Sequence, residues 1–252
     1  MTNLYKANMN RILKNPLFIG GCIIAFLVTY TCVAGVIDYM GLSSDLNIES
    51  RMYFVSIAMT VFFTIFVPLY TNMEYRYGTI RNKLVAGYSQ KQVYLSQILG
   101  YFSALAIMTA VYLLAGILGG ARDFGKVFIP CAVYFLSLCG YIAFMMLISF
   151  RITRAVFLSL LAFGVLNVSY SITMIGNFMI SFVLKGVALK IGIIVYNMTP
   201  IGQWMIWFMK LMFGEPDPKL NLESPAQILI SVVVTIVMML LATAGINKRD
   251  LK

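Results

Sequence analysis

The sequence has no histidine, nine acidic residues among 252, and only 11% charged residues. A soluble domain of this length carries about 25% charged residues. Without histidine there is no Ser-His-Asp catalysis, no Cys/His zinc site and no imidazole proton relay. The four cysteines, Cys22, Cys32, Cys131 and Cys139, all fall inside apolar runs and show no metal or disulfide spacing, so they read as small packing residues. No G-x-x-x-x-G-K-[ST] phosphate loop and no G-x-S-x-G elbow occurs, and the apolar runs hold no carboxylate pair. There is no clear repeat and no low-complexity segment.

What remains is apolar. Hydrophobic residues make up 61% of the chain, which is the composition of a polytopic membrane protein long enough for about six spanning helices. The net charge of +10 raises the question of nucleic acid. The basic residues sit in loops beside apolar runs, which points to membrane orientation instead and implies no nucleic-acid partner.

Charge-free runs near 17–37, 52–72, 94–118, 127–150, 155–175 and 226–246 predict six spans. They are continuously apolar, not alternating, so an all-α membrane fold is expected rather than a barrel. With the N-terminus inside, the inner segments carry twelve basic residues and the outer ones seven, so both termini are expected in the cytoplasm. The first sixteen residues are expected as an interfacial helix rather than a signal peptide. Leu4, Tyr5, Met9, Ile12 and Leu13 form its apolar stripe, and it meets the first span near Asn15-Pro16.

Residues 176–225 read as extracellular or re-entrant helices. A seventh span there would bury Lys185, at roughly 3 kcal/mol. Asn177, Ser181 and Lys185 are spaced i, i+4, i+8, and Gly186 and Gly192 loosen a helix. Thr199-Pro200 reads as N-cap and N1 of a further helix, whose Trp204 and Trp207 suit a membrane interface. Neutral polar residues lie within the spans: Thr60, Thr64 and Tyr70 on the second, and Asn167, Tyr170 and Thr173 on the fifth. They serve either helix–helix hydrogen bonding or a translocation path.

The polar stretch "EYRYGTIRNKLVAGYSQKQVYLSQIL" between the second and third spans is longer than a simple connection needs. Gly78 permits a tight turn, Thr79 can cap a helix, Ile80 and Leu84 at i, i+4 give an apolar docking face beside Arg81 and Lys83, and Gly87 can end the helix. This pattern resembles the loop between spans two and three of ABC-2 type permeases: an acid, Gly-Thr, a basic residue, a short helix and a further Gly, here Glu74, Gly78, Thr79, Arg81 and Gly87. The closing "NKRDLK" resembles that family's basic tail, and the resemblance covers 1–252 as one transmembrane domain. The family often has a basic residue near position 90 and a lysine near 97; this chain has Gln90 and Gln97 and keeps Lys91.

The resemblance implies a cytoplasmic coupling loop over 73–92, with Glu74, Arg76, Gly78, Thr79, Ile80, Arg81, Lys83, Leu84 and Gly87 engaging an ATPase. It further implies two cytoplasmic ATP-binding cassette subunits that bind the ATP and Mg, and a second permease copy giving a dimer in the lipid of the plasma membrane. This chain would hold no cofactor or metal and would not be an enzyme. Small permeases of this type resemble exporters of amphipathic or antimicrobial peptides, of the bacitracin, lantibiotic and phenol-soluble-modulin kinds. Other cargoes (lipid, drug, polysaccharide, ion) remain open, as do an ion-driven secondary carrier, a membrane-embedded enzyme and a sensor or scaffold.

Overall fold

The structure, a computed structural model, describes residues 2–36, 46–152, 154–214 and 222–246. Every element among them is helical. They run α1 (Thr2–Leu13), α2 (Pro16–Val33), α3 (Ile48–Val55), α4 (Ile57–Arg76), α5 (Thr79–Val85), α6 (Gln90–Gly119), α7 (Phe124–Arg151), α8 (Ala155–Phe178), α9 (Gly186–Met198), α10 (Pro200–Phe213) and α11 (Ser224–Ile246). Six helices are long and apolar enough to cross a membrane; α3 and α4 together make the second, Ile48–Arg76. A bend at Ser56, whose hydroxyl donates to the Tyr53 carbonyl, separates those two.

Local chemistry sets the boundaries. Asn15 caps α2 by accepting from the Leu17 amide, with Pro16 at N1, at the junction expected near Asn15-Pro16. Ser89 and Gln92 form a reciprocal capping box, so α6 begins at Gln90, one turn earlier than the expected 94. Asp123 caps α7, which runs over Phe124–Arg151.

The helix α7 is the centre of the bundle, with 67% of its apolar window buried against α4, α6, α10 and α11. By contrast, the same windows of α2, α8 and α11 are buried only 22%, 22% and 17%, so their apolar faces point outward. Lipid tails are as apolar as leucine, so burial alone does not hold such helices together; close packing and polar contacts do. A row of hydroxyl pairs runs along α4: Thr60 with Tyr134, Thr64 with Tyr141 at 2.8 Å, and Thr71 with Tyr101 at 2.7 Å. Each such pair is worth roughly 0.6 kcal/mol on average in a membrane bundle.

The region 176–225 departs in detail from expectation. The fifth span does not stop at 175. It continues through a π-helical turn, Met179–Val183, so that the spanning segment is Val156–Val183. That turn breaks the i, i+4, i+8 register of Asn177, Ser181 and Lys185, and Lys185 emerges exposed at the junction with α9. The next two helices, α9 and α10, are too short to span.

Thr199 does cap α10, accepting from the Gly202 amide at 3.1 Å. The tryptophans, however, turn into the protein rather than toward lipid or solvent. Trp204 and Trp207 are each 7% exposed, inside the core. Trp204 Nε1 donates to the Tyr53 carbonyl at 3.1 Å, and Trp207 Nε1 to Gln227 Oε1 at 2.9 Å. Buried indoles need such partners, and the neighbouring helices supply them.

Candidate functional site

The helix α5 lies at the end of the bundle where α4 finishes and α6 begins, and Phe150 near the end of α7 packs on Tyr75 and Tyr94 there. Gly78, with φ 65°, makes the left-handed turn into α5. Gly87, with φ 89°, closes it. The Tyr88 amide donates to the Lys83 carbonyl at 3.2 Å and the Gly87 amide to Leu84 at 3.0 Å, which is a Schellman ending. Thr79 does not cap the helix. Gly78 occupies the cap position without a side chain, and the Thr79 hydroxyl instead accepts from Arg11 Nη2 at 3.0 Å.

Beneath α5 sits Glu74, 3% exposed. Its Oε1 pairs with Arg11 Nη1 at 2.7 Å and its Oε2 with Lys83 Nζ at 2.7 Å. Lys83 Nζ also donates to Asn8 Oδ1 at 2.7 Å, and Asn8 Nδ2 donates to Ser96 Oγ at 3.0 Å. The buried carboxylate thus joins α4 to α1 and α5, and Asn8 carries the network on to α6. Burial pulls the Lys83 ammonium below its ordinary value, and the attraction of Glu74 opposes that fall. Arg11 stays 43% exposed and keeps its water.

The N-terminal helix completes this arrangement. Leu4, Asn8 and Ile12 form its buried face, and α1 crosses α6 over Gly100, where an added Cβ would stand 3.2 Å from Ile12 Cδ1. Asn8 replaces Leu13 in the expected stripe, since Leu13 is exposed. Asn8 lies outside the expected apolar stripe; its i, i+4 spacing from both Leu4 and Ile12 is the signal in the sequence for its place on the buried face.

The expected docking face of α5 is turned inward. Ile80 is 3% exposed within the core, and Leu84 packs against it. The outward surface comprises Tyr77, Arg81, Asn82 and Val85, with Arg76, Gly87 and Lys91 around it. Tyr77 and Val85 are 72% and 80% exposed. Arg81 and Val85 are i, i+4, so the face was readable once Ile80 was placed inside. Arg151 and Arg154 are exposed at the turn from α7 to α8.

The residues considered for a path do not converge. Thr60 and Thr64 are committed to Tyr134 and Tyr141, and Tyr70 is buried against Phe66 and Tyr101. Thr173 is buried and its hydroxyl returns to the Ser169 carbonyl at 2.9 Å. Asn167 and Tyr170 are exposed on the outer side of α8.

A second polar cluster, which the sequence does not announce, lies at the opposite end of the bundle. Gln203 donates to the Asn197 carbonyl at 2.7 Å and to Ser231 Oγ at 2.9 Å, and Gln227 Nε2 donates to Asn197 Oδ1 at 3.2 Å. Together with Trp207 it locks α9, α10 and α11. Its members are scattered along 197–231, so no local spacing announces it. Among the described residues no group of His, Cys, Asp or Glu could hold a metal, and the four cysteines are free. The seven-residue loop helix is thus fixed from below by an ion cluster and bare above.

These features define a multi-pass helical membrane protein with a structured surface helix at one end. No protein-family model and no curated protein matches the chain.

Proposed function

We propose that this chain is the membrane subunit of an ATP-driven exporter, and that α5 is its coupling helix. The end carrying α5 and both termini face the cytoplasm. Two ATP-binding cassette subunits hold the ATP and Mg, and a second permease, a copy of this chain, completes the transporter. This chain hydrolyses nothing.

The observation that carries the reading is the contrast across α5. Below it, Glu74 binds Lys83 and Arg11 inside the protein; above it, Tyr77, Arg81 and Val85 stand exposed. An exposed valine flanked by cations suits a partner cleft with an apolar floor and an acidic rim. Movement of that partner is passed to α1 and α4 through the Glu74 carboxylate and to α6 through Asn8 and Ser96.

The cargo is proposed as an amphipathic peptide, such as a toxin or antimicrobial peptide. In support, the apolar runs 17–37, 52–72, 94–118, 127–150, 155–175 and 226–246 hold no charge, and the chain has 17 Met, 18 Phe and 15 Tyr. Adaptable Met and aromatic surfaces accommodate varied apolar ligands.

The test is uptake of a labelled amphipathic peptide into inverted vesicles holding this chain and a cognate ATP-binding cassette ATPase. Uptake should require ATP and both proteins, and the chain purified alone should hydrolyse no ATP. Uptake driven by an ion gradient without the ATPase would show a secondary carrier instead.

A further inference from the structure

The second span is bent, and the bend is a change of hydrogen bonding. In a straight α-helix each amide donates to the carbonyl four residues back. Here the Ser56 amide donates to the Tyr53 carbonyl and the Met59 amide to the Ser56 carbonyl, each three residues back and each at 3.0 Å. A tight turn of this kind inside a long helix often marks a hinge. It takes the Ser56 amide away from the Met52 carbonyl, and inside a membrane a freed carbonyl must find another donor. Two neighbouring helices supply donors at this point. The Tyr112 hydroxyl of α6 donates to the Met52 carbonyl at 2.7 Å, and Trp204 Nε1 of α10 donates to the Tyr53 carbonyl at 3.1 Å.

The packing around the bend is uneven. On one side Met52 fills the place that a Cβ on Gly116 of α6 would take. On another, a cavity of about 120 Å³ separates the bend from α2, and its wall includes Val55, Ala58 and Met59 with Ala25 and Thr29. Well-packed interiors leave few such voids. The hydroxyls of Ser50 and Tyr53 on α3, and of Thr29 beside the cavity, are buried without a partner among the described residues. Unpaired buried hydroxyls raise the free energy of the bent form.

We propose that the second span is a two-state hinge: α3 swings about Ser56 between this bent form and a straight one, with Tyr112 and Trp204 as its latches. In the straight form the Ser56 amide returns to the Met52 carbonyl and the Ile57 amide takes the Tyr53 carbonyl, so both latches let go. Helix bonds replace side-chain bonds nearly one for one, which keeps the two forms close in free energy. The cavity beside Val55 and Ala58 gives the backbone room to move. The proposal requires neither an ATPase nor a cargo, so it stands or falls apart from the exporter reading.

Double electron–electron resonance on the purified full chain in lipid nanodiscs tests it. Spin labels go on Asn47→Cys, before the first turn of α3, and on Lys190→Cys of α9, after the four native cysteines are replaced; both positions are exposed. Two distances are expected. Ser56→Pro suits the bent form, where Ser56 has φ −58°, but has no amide to return to Met52, so it should leave the bent distance alone. Tyr112→Phe removes one oxygen and should raise the ratio of straight to bent about fivefold, and Trp204→Phe should move it the same way. Tyr112→Phe is the mildest change and serves should the other two variants misfold. A ratio that Tyr112→Phe leaves unmoved, a single distance in wild type and Tyr112→Phe alike, or two distances in folded Ser56→Pro would overturn the proposal.

Discussion

Glu74 carries two opposite charges within 2.7 Å while almost fully removed from solvent. A buried ion pair adds little over well-packed apolar residues, but removing one partner leaves an uncompensated charge and costs about 3–5 kcal/mol. The partners differ in what they lose. Lys83 is 10% exposed and would be stranded without Glu74, whereas Arg11 at 43% would turn to water. Glu74→Ala should therefore lower the thermal unfolding midpoint of the purified protein sharply, and Arg11→Ala should lower it much less. Adding Lys83→Met to Glu74→Ala should recover most of the loss. An additive double variant would mean that the Glu74–Lys83 contact is not the source of the stability.

At the scale of elements, α5 owes its position to its ends and its inner face. Gly78 and Gly87 both hold positive φ, where a Cβ costs about 1–2 kcal/mol. Gly78→Ala and Gly87→Ala should each loosen α5, read as faster amide hydrogen exchange over 79–85, while Thr79→Ala should leave that exchange nearly unchanged because Thr79 caps nothing. At the other end, Gln203→Leu takes the side-chain donor from the carbonyl of Asn197 and leaves the Ser231 hydroxyl only the Gln227 carbonyl. A loss of about 1–3 kcal/mol is expected in chemical denaturation. An unchanged transition would show that the cluster does not lock α9 to α11.

The helices themselves were legible wherever a punctuating residue stood beside a charge-free run: Asn15-Pro16, Thr199-Pro200, and Gly87 after the loop helix. The facing of side chains was not. A spanning helix is apolar all round, so nothing in its pattern says which side meets a neighbour. Trp204 and Trp207 could be read equally as interface anchors or as core, and only Tyr53 and Gln227 decide the matter. Ile80 and Leu84 gave a true i, i+4 stripe, but the stripe faces the protein's own core. The Glu74 cluster joins residues 8, 11, 74, 83 and 96, and the Gln203 cluster joins 197, 203, 227 and 231; local pattern cannot pair such distant positions.

For the molecule as a whole, the proposal that both termini and α5 face the cytoplasm places α5 and α9 on opposite sides of the membrane. Single cysteines test this after Cys22, Cys32, Cys131 and Cys139 are replaced. Arg81 and Lys190 are both exposed, one at each end of the bundle. An impermeant thiol reagent added to whole cells should label Lys190→Cys and spare Arg81→Cys. The reverse result would invert the topology and remove α5 from the reach of a cytoplasmic motor. The closing basic tail, 247–252, lies outside the described residues, so Lys190 serves better than the terminus.

The central claim is that α5 presents its outer face to an ATP-binding cassette subunit. The most direct measurement places a photoreactive amino acid at Val85, with Ile80 and Lys190 as controls, in cells that also make a cognate ATP-binding cassette ATPase. Illumination should join the ATPase to position 85 and not to the buried position 80 or the far-side position 190. A crosslink from 190, or none from 85 with both proteins present in the membrane, would contradict the account.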